Sequence, residues 1–211
     1  MKIRETFGTT IQKIIEPVVK VSERRPTIVL DELSNLVITP QWEHYIHQVL
    51  QEYTDALDNE EEQGIGIWIS GFFGSGKSSL MKTLGTLLEG GELEGQRVHE
   101  IFLNRLPMES TKREDLRRFL ALCQRRTTCT AIGGNIHAQI TDMDDSLALV
   151  AFRLFAQARG YTAIWPFAWG VEYQLDELGL LGAFQRAASE LCQKSWPTIA
   201  EDADFYSAQL Y

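Results

Sequence analysis

Residues 71–78 read Gly71-Phe72-Phe73-Gly74-Ser75-Gly76-Lys77-Ser78, a complete GxxxxGKS spacing, and few short strings constrain a chain more tightly. Glycines at 71, 74 and 76 let the backbone curl until consecutive N–H groups converge on one point, at the positive end of the helix that follows. Lys77 adds a point charge suited to the β- and γ-phosphates of a nucleotide, and the Ser78 hydroxyl is placed to ligate Mg²⁺. The flanks agree. Ile65-Gly66-Ile67-Trp68-Ile69-Ser70 reads as a buried strand, and Ser79-Leu80-Met81-Lys82-Thr83-Leu84-Gly85-Thr86-Leu87-Leu88 carries apolar residues at helical spacing. The order strand, loop, helix that the motif needs is therefore complete. A glycine-rich turn with an incidental lysine would not bring both flanks with it.

A chain of 211 residues, 44% hydrophobic and 23% charged, is long enough to bury a core of one α/β domain with a small appendage, and reads as soluble and globular. A net charge of −9 argues against attraction of the whole surface to nucleic acid or an anionic membrane. No apolar run approaches the ~20 residues that span a bilayer, and Met1-Lys2-Ile3-Arg4-Glu5 is not followed by a signal-peptide core, so the expected compartment is the cytoplasm. Cys123, Cys129 and Cys192 form neither a CxxC pair nor a metal spacing with the histidines, which reads as reduced, buried thiols. His44 and His47 share a helical side but have no acidic or cysteine partner at matching spacing.

Along the chain, the apolar bursts 11–21 and 27–38 flank Arg24-Arg25-Pro26 and predict a short helix followed by a short strand or turn. Thr39-Pro40 gives an N-cap and a first-turn proline for an amphipathic helix to about residue 57, ended by the acidic loop Asp58-Asn59-Glu60-Glu61-Glu62. Thr111 and Glu114 have capping-box spacing and open a helix through about Arg126. Arg126-Thr127-Thr128-Cys129-Thr130-Ala131-Ile132 is β-branched enough for a second core strand, closed by Gly133-Gly134. A further helix is predicted from about Asp145 to Arg159, with Leu147, Val150, Ala151, Leu154 and Phe155 on one face and Gly160 as its stop. Trp165, Phe167, Trp169 and Tyr173 lack interleaved basic residues and read as core, before a helix near 178–194 stopped by Pro197.

A working P-loop NTPase needs a second carboxylate at the end of a downstream apolar strand, to hold Mg²⁺ and a water. No such string follows residue 78. Ile28-Val29-Leu30-Asp31-Glu32 has the right composition but lies upstream and would serve only in permuted order. Asp142, Asp144 and Asp145 follow Ile140-Thr141 and are better read as N-terminal capping of the 145–159 helix. The simplest reading is half of an ATPase site, on the N-terminal part of a longer protein.

Pro17-Val18-Val19-Lys20-Val21, the run from Leu33 to Thr39 before the Trp42 to Tyr53 helix, and above all Ile67 to Ser78 with its phenylalanine doublet resemble the large P-loop ATPases of BREX bacteriophage-exclusion systems, of the BrxC/PglY type. The similarity covers most of the chain and is densest from about residue 15 to 90. It implies an ATP-binding component of a bacterial antiphage defence complex, working beside a DNA methyltransferase and other BREX proteins. It also implies ATP hydrolysis in the full-length protein, with the second carboxylate and sensor residues beyond this chain.

The expected fold is thus α/β: a P-loop NTPase-type parallel sheet with flanking helices, AAA-like and incomplete, after a small N-terminal helical and strand segment. The expected division is an N-terminal segment at 1–60 and the P-loop core at 61–211. The expected nucleotide contacts are Gly71, Phe72, Phe73, Gly74, Ser75, Gly76, Lys77, Ser78 and Ser79, with ATP and Mg²⁺ as cofactors and Ser78 as the metal ligand. The absence of an NKxD string favours ATP over GTP. Other readings left open are a non-catalytic, nucleotide-dependent interaction module and a small P-loop kinase with Arg113, Arg117 and Arg118 as lid. The basic residues Lys112, Arg113, Arg117, Arg118, Arg125 and Arg126 are diluted by Glu109, Glu114 and Asp115, so any DNA contact is expected to be indirect, with the patch serving a subunit contact or a trans-acting arginine in a homo-oligomer.

Overall fold

The computed structural model describes residues 19–59, 65–140, 142, 144–163 and 166–210. The helix expected within 11–21 falls largely outside these residues, as do Glu60, Glu61, Glu62, Thr141 and Trp165. The chain divides into two compact units, Met1–Cys129 and Thr130–Tyr211.

The protein is mostly helical, at 63% helix, and the only sheet among the described residues is a two-stranded antiparallel ribbon. This overturns the expected parallel sheet of P-loop type. The ribbon pairs β1 (Glu92–Leu93) with β2 (Gln96–Arg97), far too small to organise a domain. Residues 65–70, expected as a buried strand, have no strand partner among the described residues, and Trp68 is 91% exposed. Strand propensity expresses itself only against a paired neighbour, and the second expected strand is missing as well. Arg126 ends a helix, and the Thr127 N–H and hydroxyl both donate to the Cys123 carbonyl, at 3.0 and 3.1 Å, so this stretch closes the helix instead of pairing.

The third correction concerns 27–38. Pro26 stands at the first position of α1 (Pro26–Ser34), where its missing N–H costs nothing and its fixed φ suits a helix. Val29 and Leu33, one turn apart, are the buried face.

In the first unit α2 (Pro40–Asp58) starts as its sequence predicts: the Thr39 hydroxyl accepts the Trp42 N–H at 3.2 Å and Pro40 follows. Ile46, Leu50 and Thr54 repeat every four residues on its buried face. α3 (Lys77–Glu89), α4 (Val98–Arg105) and α5 (Arg113–Arg126) complete the unit. Their faces merge into one core around Leu50, Leu87, Phe102, Leu116 and Leu120, each fully buried, and worth roughly 1.5–3 kcal/mol apiece. The capping box expected at α5 does not form. Glu114 takes Arg117 at 2.6 Å, and the side chain of the N-cap residue Lys112 makes no capping bond to the helix.

The second unit holds α6 (Ile136–Gln139), α7 (Leu147–Ala158), α8 (Pro166–Glu177), α9 (Leu181–Cys192), α10 (Trp196–Glu201) and α11 (Ala203–Leu210). Ser146 caps α7 through the Leu149 N–H at 3.2 Å, so the hydroxyl takes the role assigned to the aspartates, and Asp145 instead pairs with buried Arg153 at 2.5 Å. The predicted apolar face of α7 is rotated: Val150, Arg153 and Ala156 are buried while Leu147 is 69% exposed. Gly160 stops the helix as expected. Its N–H reaches Gln157 O at 3.0 Å and that of Tyr161 reaches Ala156 O at 2.8 Å, the paired bonds of a Schellman ending. Pro197 opens α10 instead of ending α9. Trp169 meets Phe152 edge-on and stacks on Tyr173, with centroids at 4.8 and 5.7 Å, but Phe167 and Tyr173 are exposed, so the expected aromatic core is only partly formed.

Arg113 donates to the carbonyls of Leu103, Leu106 and Pro107, at 2.6, 3.1 and 2.9 Å, satisfying the orphan acceptors at the end of α4. Arg113→Ala is expected to cost about 2 kcal/mol in urea denaturation. Arg118→Ala, which loses an exposed pair with Asp115 at 3.2 Å, is expected to cost about 0.5 kcal/mol or less. Equal losses would show that the α4 cap carries no special weight.

Burial holds the His99 imidazole below its ordinary value, even though its Nε2 bonds to the Leu87 carbonyl at 2.8 Å. The unfolded chain therefore binds a proton first as pH falls, and stability is fully present above the unfolded value near 6.5 and lost below it, down through the folded value. The thermal midpoint should be lower at pH 5.5 than at pH 7.5, and His99→Gln should shrink that difference. An unchanged difference would place its origin elsewhere.

Candidate phosphate-binding site

The loop forms without the strand. Gly74 and Gly76 have φ of 79° and 82°, and Gly76 is the N-cap from which α3 begins at Lys77. At Gly76 the constraint is double: the left-handed backbone disfavours a side chain, and a Cβ there would lie 3.0 Å from Trp42 Cζ2. The indole of α2 thus sits directly against the last turn of the loop. The Ser75 N–H donates to Phe72 O at 3.2 Å, and Lys77 Nζ donates to the same carbonyl at 2.6 Å. The lysine is folded back over the loop. An ionised phosphate oxygen is a stronger acceptor than that neutral carbonyl, so the ammonium has somewhere better to go when an anion arrives.

Of the sequence-predicted contacts, Lys77, Ser78 and Ser79 form the first turn of α3, with Ser78 exposed and Ser79 half-buried. Phe72 and Phe73 point to solvent, 92% and 102% exposed. Ser78, the expected Mg²⁺ ligand, stands at the helix terminus. No cluster of three or more His, Cys, Asp or Glu suited to a metal occurs among the described residues, and a magnesium ion held by one hydroxyl, phosphates and waters needs none.

The upstream Ile28-Val29-Leu30-Asp31-Glu32 string, read as a carboxylate pair in permuted order, lies in α1 and not at a strand end. Glu32 nevertheless comes to α3. Its Oε2 is 2.5 Å from Lys82 Nζ, an ion pair without hydrogen-bond alignment, in which the Lys82 side chain is only 8% exposed. Sequence reasoning missed Lys82. Its signal was a lysine on the buried face of an otherwise apolar helix, one turn beyond Ser78.

The basic residues of the α5 region are engaged within their own unit. Arg117 and Arg118 pair with Glu114 and Asp115, Arg126 with Asp58 at 3.2 Å, and Lys112 Nζ meets His44 Nδ1 at 3.1 Å. His47 Nε2 lies 3.6 Å from Asp115, so the two histidines look to different partners. Burial pushes the Cys123 thiol up to about 11, which suits an inert core cysteine. Cys129 Sγ lies 3.2 Å from the Tyr53 hydroxyl.

No family model matches the chain, and no solved structure matches it.

Gly76→Ala should destabilise the first unit by about 1–2 kcal/mol, since it forces a Cβ into left-handed backbone against Trp42. Gly66→Ala, with open space around its Cα, is the control. Equal stability of the two variants would mean that the loop relaxes freely at its junction with α3.

Proposed function

We propose that the 71–79 segment binds the phosphates of ATP, with Lys77 on the β- and γ-phosphates and Ser78 on Mg²⁺. The observation that carries this reading is the junction at Gly76. There a glycine-rich turn runs without interruption into the N-terminus of a 13-residue helix whose first residue is the lysine. Backbone N–H groups and the helix dipole then act on the same anion.

The wider setting we propose is the one the resemblance implies: a cytoplasmic, nucleotide-binding component of a BREX-type antiphage system, with ATP hydrolysis belonging to the full-length protein. Other defence proteins, a DNA methyltransferase among them, are its partners there, and contact with DNA is indirect. No helix among the described residues is long and apolar enough to cross a membrane.

A second reading, a nucleotide-dependent interaction module without turnover, is favoured by one feature. Trp68, Phe72 and Phe73 are each more than nine-tenths exposed around the loop, an unusual display for aromatic side chains. Phosphate release separates it from the first reading once binding is established.

Lys77→Ala should weaken ATP binding at least tenfold, ~1.4 kcal/mol, because it removes the motif's only charged side chain. Equal affinity of both forms for a fluorescent ATP analogue would end the proposal.

A further inference from the structure

Beside the loop, α1 and α3 enclose a groove of about 510 Å³, within the range of small-molecule sites. Two of its lining residues belong to the loop's own surroundings. Trp42 is the side chain against Gly76, and Ser79 lies in the first turn of α3. From there the wall follows α3 through Lys82 and Thr83 to Thr86. Seven residues of helix rise roughly 10 Å, about the length of a nucleoside. Opposite, α1 contributes apolar Ile28, Val29 and Leu33 beside the carboxylates of Asp31 and Glu32.

We propose that this groove takes the ribose and base of the nucleotide, with the Glu32 carboxylate accepting hydrogen bonds from the ribose hydroxyls. The inference rests on phosphate binding by the adjoining loop. A triphosphate seated on the N-terminus of α3 has room to lay its nucleoside along a flank of that helix. The flank facing α1 offers a formed groove. The groove combines apolar side chains for the base with an ion pair whose lysine is buried and whose glutamate is partly exposed. Lys82 holds Glu32 in position by direct contact at 2.5 Å, and the pair is not aligned as a hydrogen bond, so the carboxylate retains acceptor capacity for a diol. A carboxylate facing sugar hydroxyls is a general solution to ribose recognition. A site built to bond a hydroxyl discriminates strongly against the ligand that lacks it.

The experiment is calorimetric titration of the whole chain with ATP, 2′-deoxyATP and inorganic tripolyphosphate, all with Mg²⁺. Wild-type protein should bind ATP about tenfold or more tightly than either of the others. Glu32→Gln should bring ATP close to 2′-deoxyATP while leaving tripolyphosphate affinity unchanged. The wild-type ligand series decides the matter alone if Glu32→Gln unsettles Lys82 and does not fold. ATP and tripolyphosphate binding equally would overturn the groove and leave the phosphate reading standing. ATP and 2′-deoxyATP binding equally, both more tightly than tripolyphosphate, would overturn the role of Glu32. Binding of none of the three would remove the phosphate reading and this inference together.

Discussion

The candidate site depends on the burial of one face of α3. In a loop–helix phosphate motif the loop is ordinarily held from both sides, by a central strand before it and a helix after it. Here residues 65–70 have no strand partner among the described residues, so the helix does the holding. Leu80, Leu84 and Leu87 are sunk in the core shared with α2, α4 and α5, fixing the axis of α3 and with it the direction of its terminal N–H groups. Trp42, packed against Gly76, fixes the other end of the same turn. An anion site needs only that the donors converge and stay put, and apolar packing on a helical scaffold supplies both.

The polar interactions follow a consistent pattern: charge is placed where a backbone or a buried partner needs it. Arg113 closes the C-terminus of α4 with three carbonyl contacts. In the second unit Glu172, fully buried, accepts from both the N–H and the hydroxyl of Thr162, at 2.6 and 2.7 Å, and Arg153 joins Asp145 to the Gln139 carbonyl. Such groups contribute little net stability over apolar replacements, yet losing one partner strands the other. They therefore act as register pins. Lys82 and Glu32 belong to this class by geometry, and differ in lining a cavity.

The exposed aromatics beside the loop stand against this economy. Trp68 and the Phe72-Phe73 doublet gain nothing from burial within the described residues, while similar side chains at 169 and 173 pack on one another. The stretch from 65 to 76 carries no charged side chain on a chain of net charge −9.

The loop, its glycines and the helix after it were legible in the sequence because each depends on local chemistry: positive φ at Gly74 and Gly76, helical periodicity from Leu80 onward. So were the start of α2 at Thr39-Pro40 and the stop of α7 at Gly160, where the deciding bonds lie within a turn. The strands were not legible. β-branched runs such as 65–70 and 126–132 become strands only if a neighbour is present to pair with, and no local pattern reports whether one is. The same limit applies to 27–38, where a proline read as a break proved to be a helix start. Tertiary structure alone decided that α1 packs on α4, that Glu32 reaches Lys82 of α3, and that a groove opens from Trp42 and Ser79. Those contacts join residues some fifty positions apart, and only the packing of buried faces brings such distant positions together.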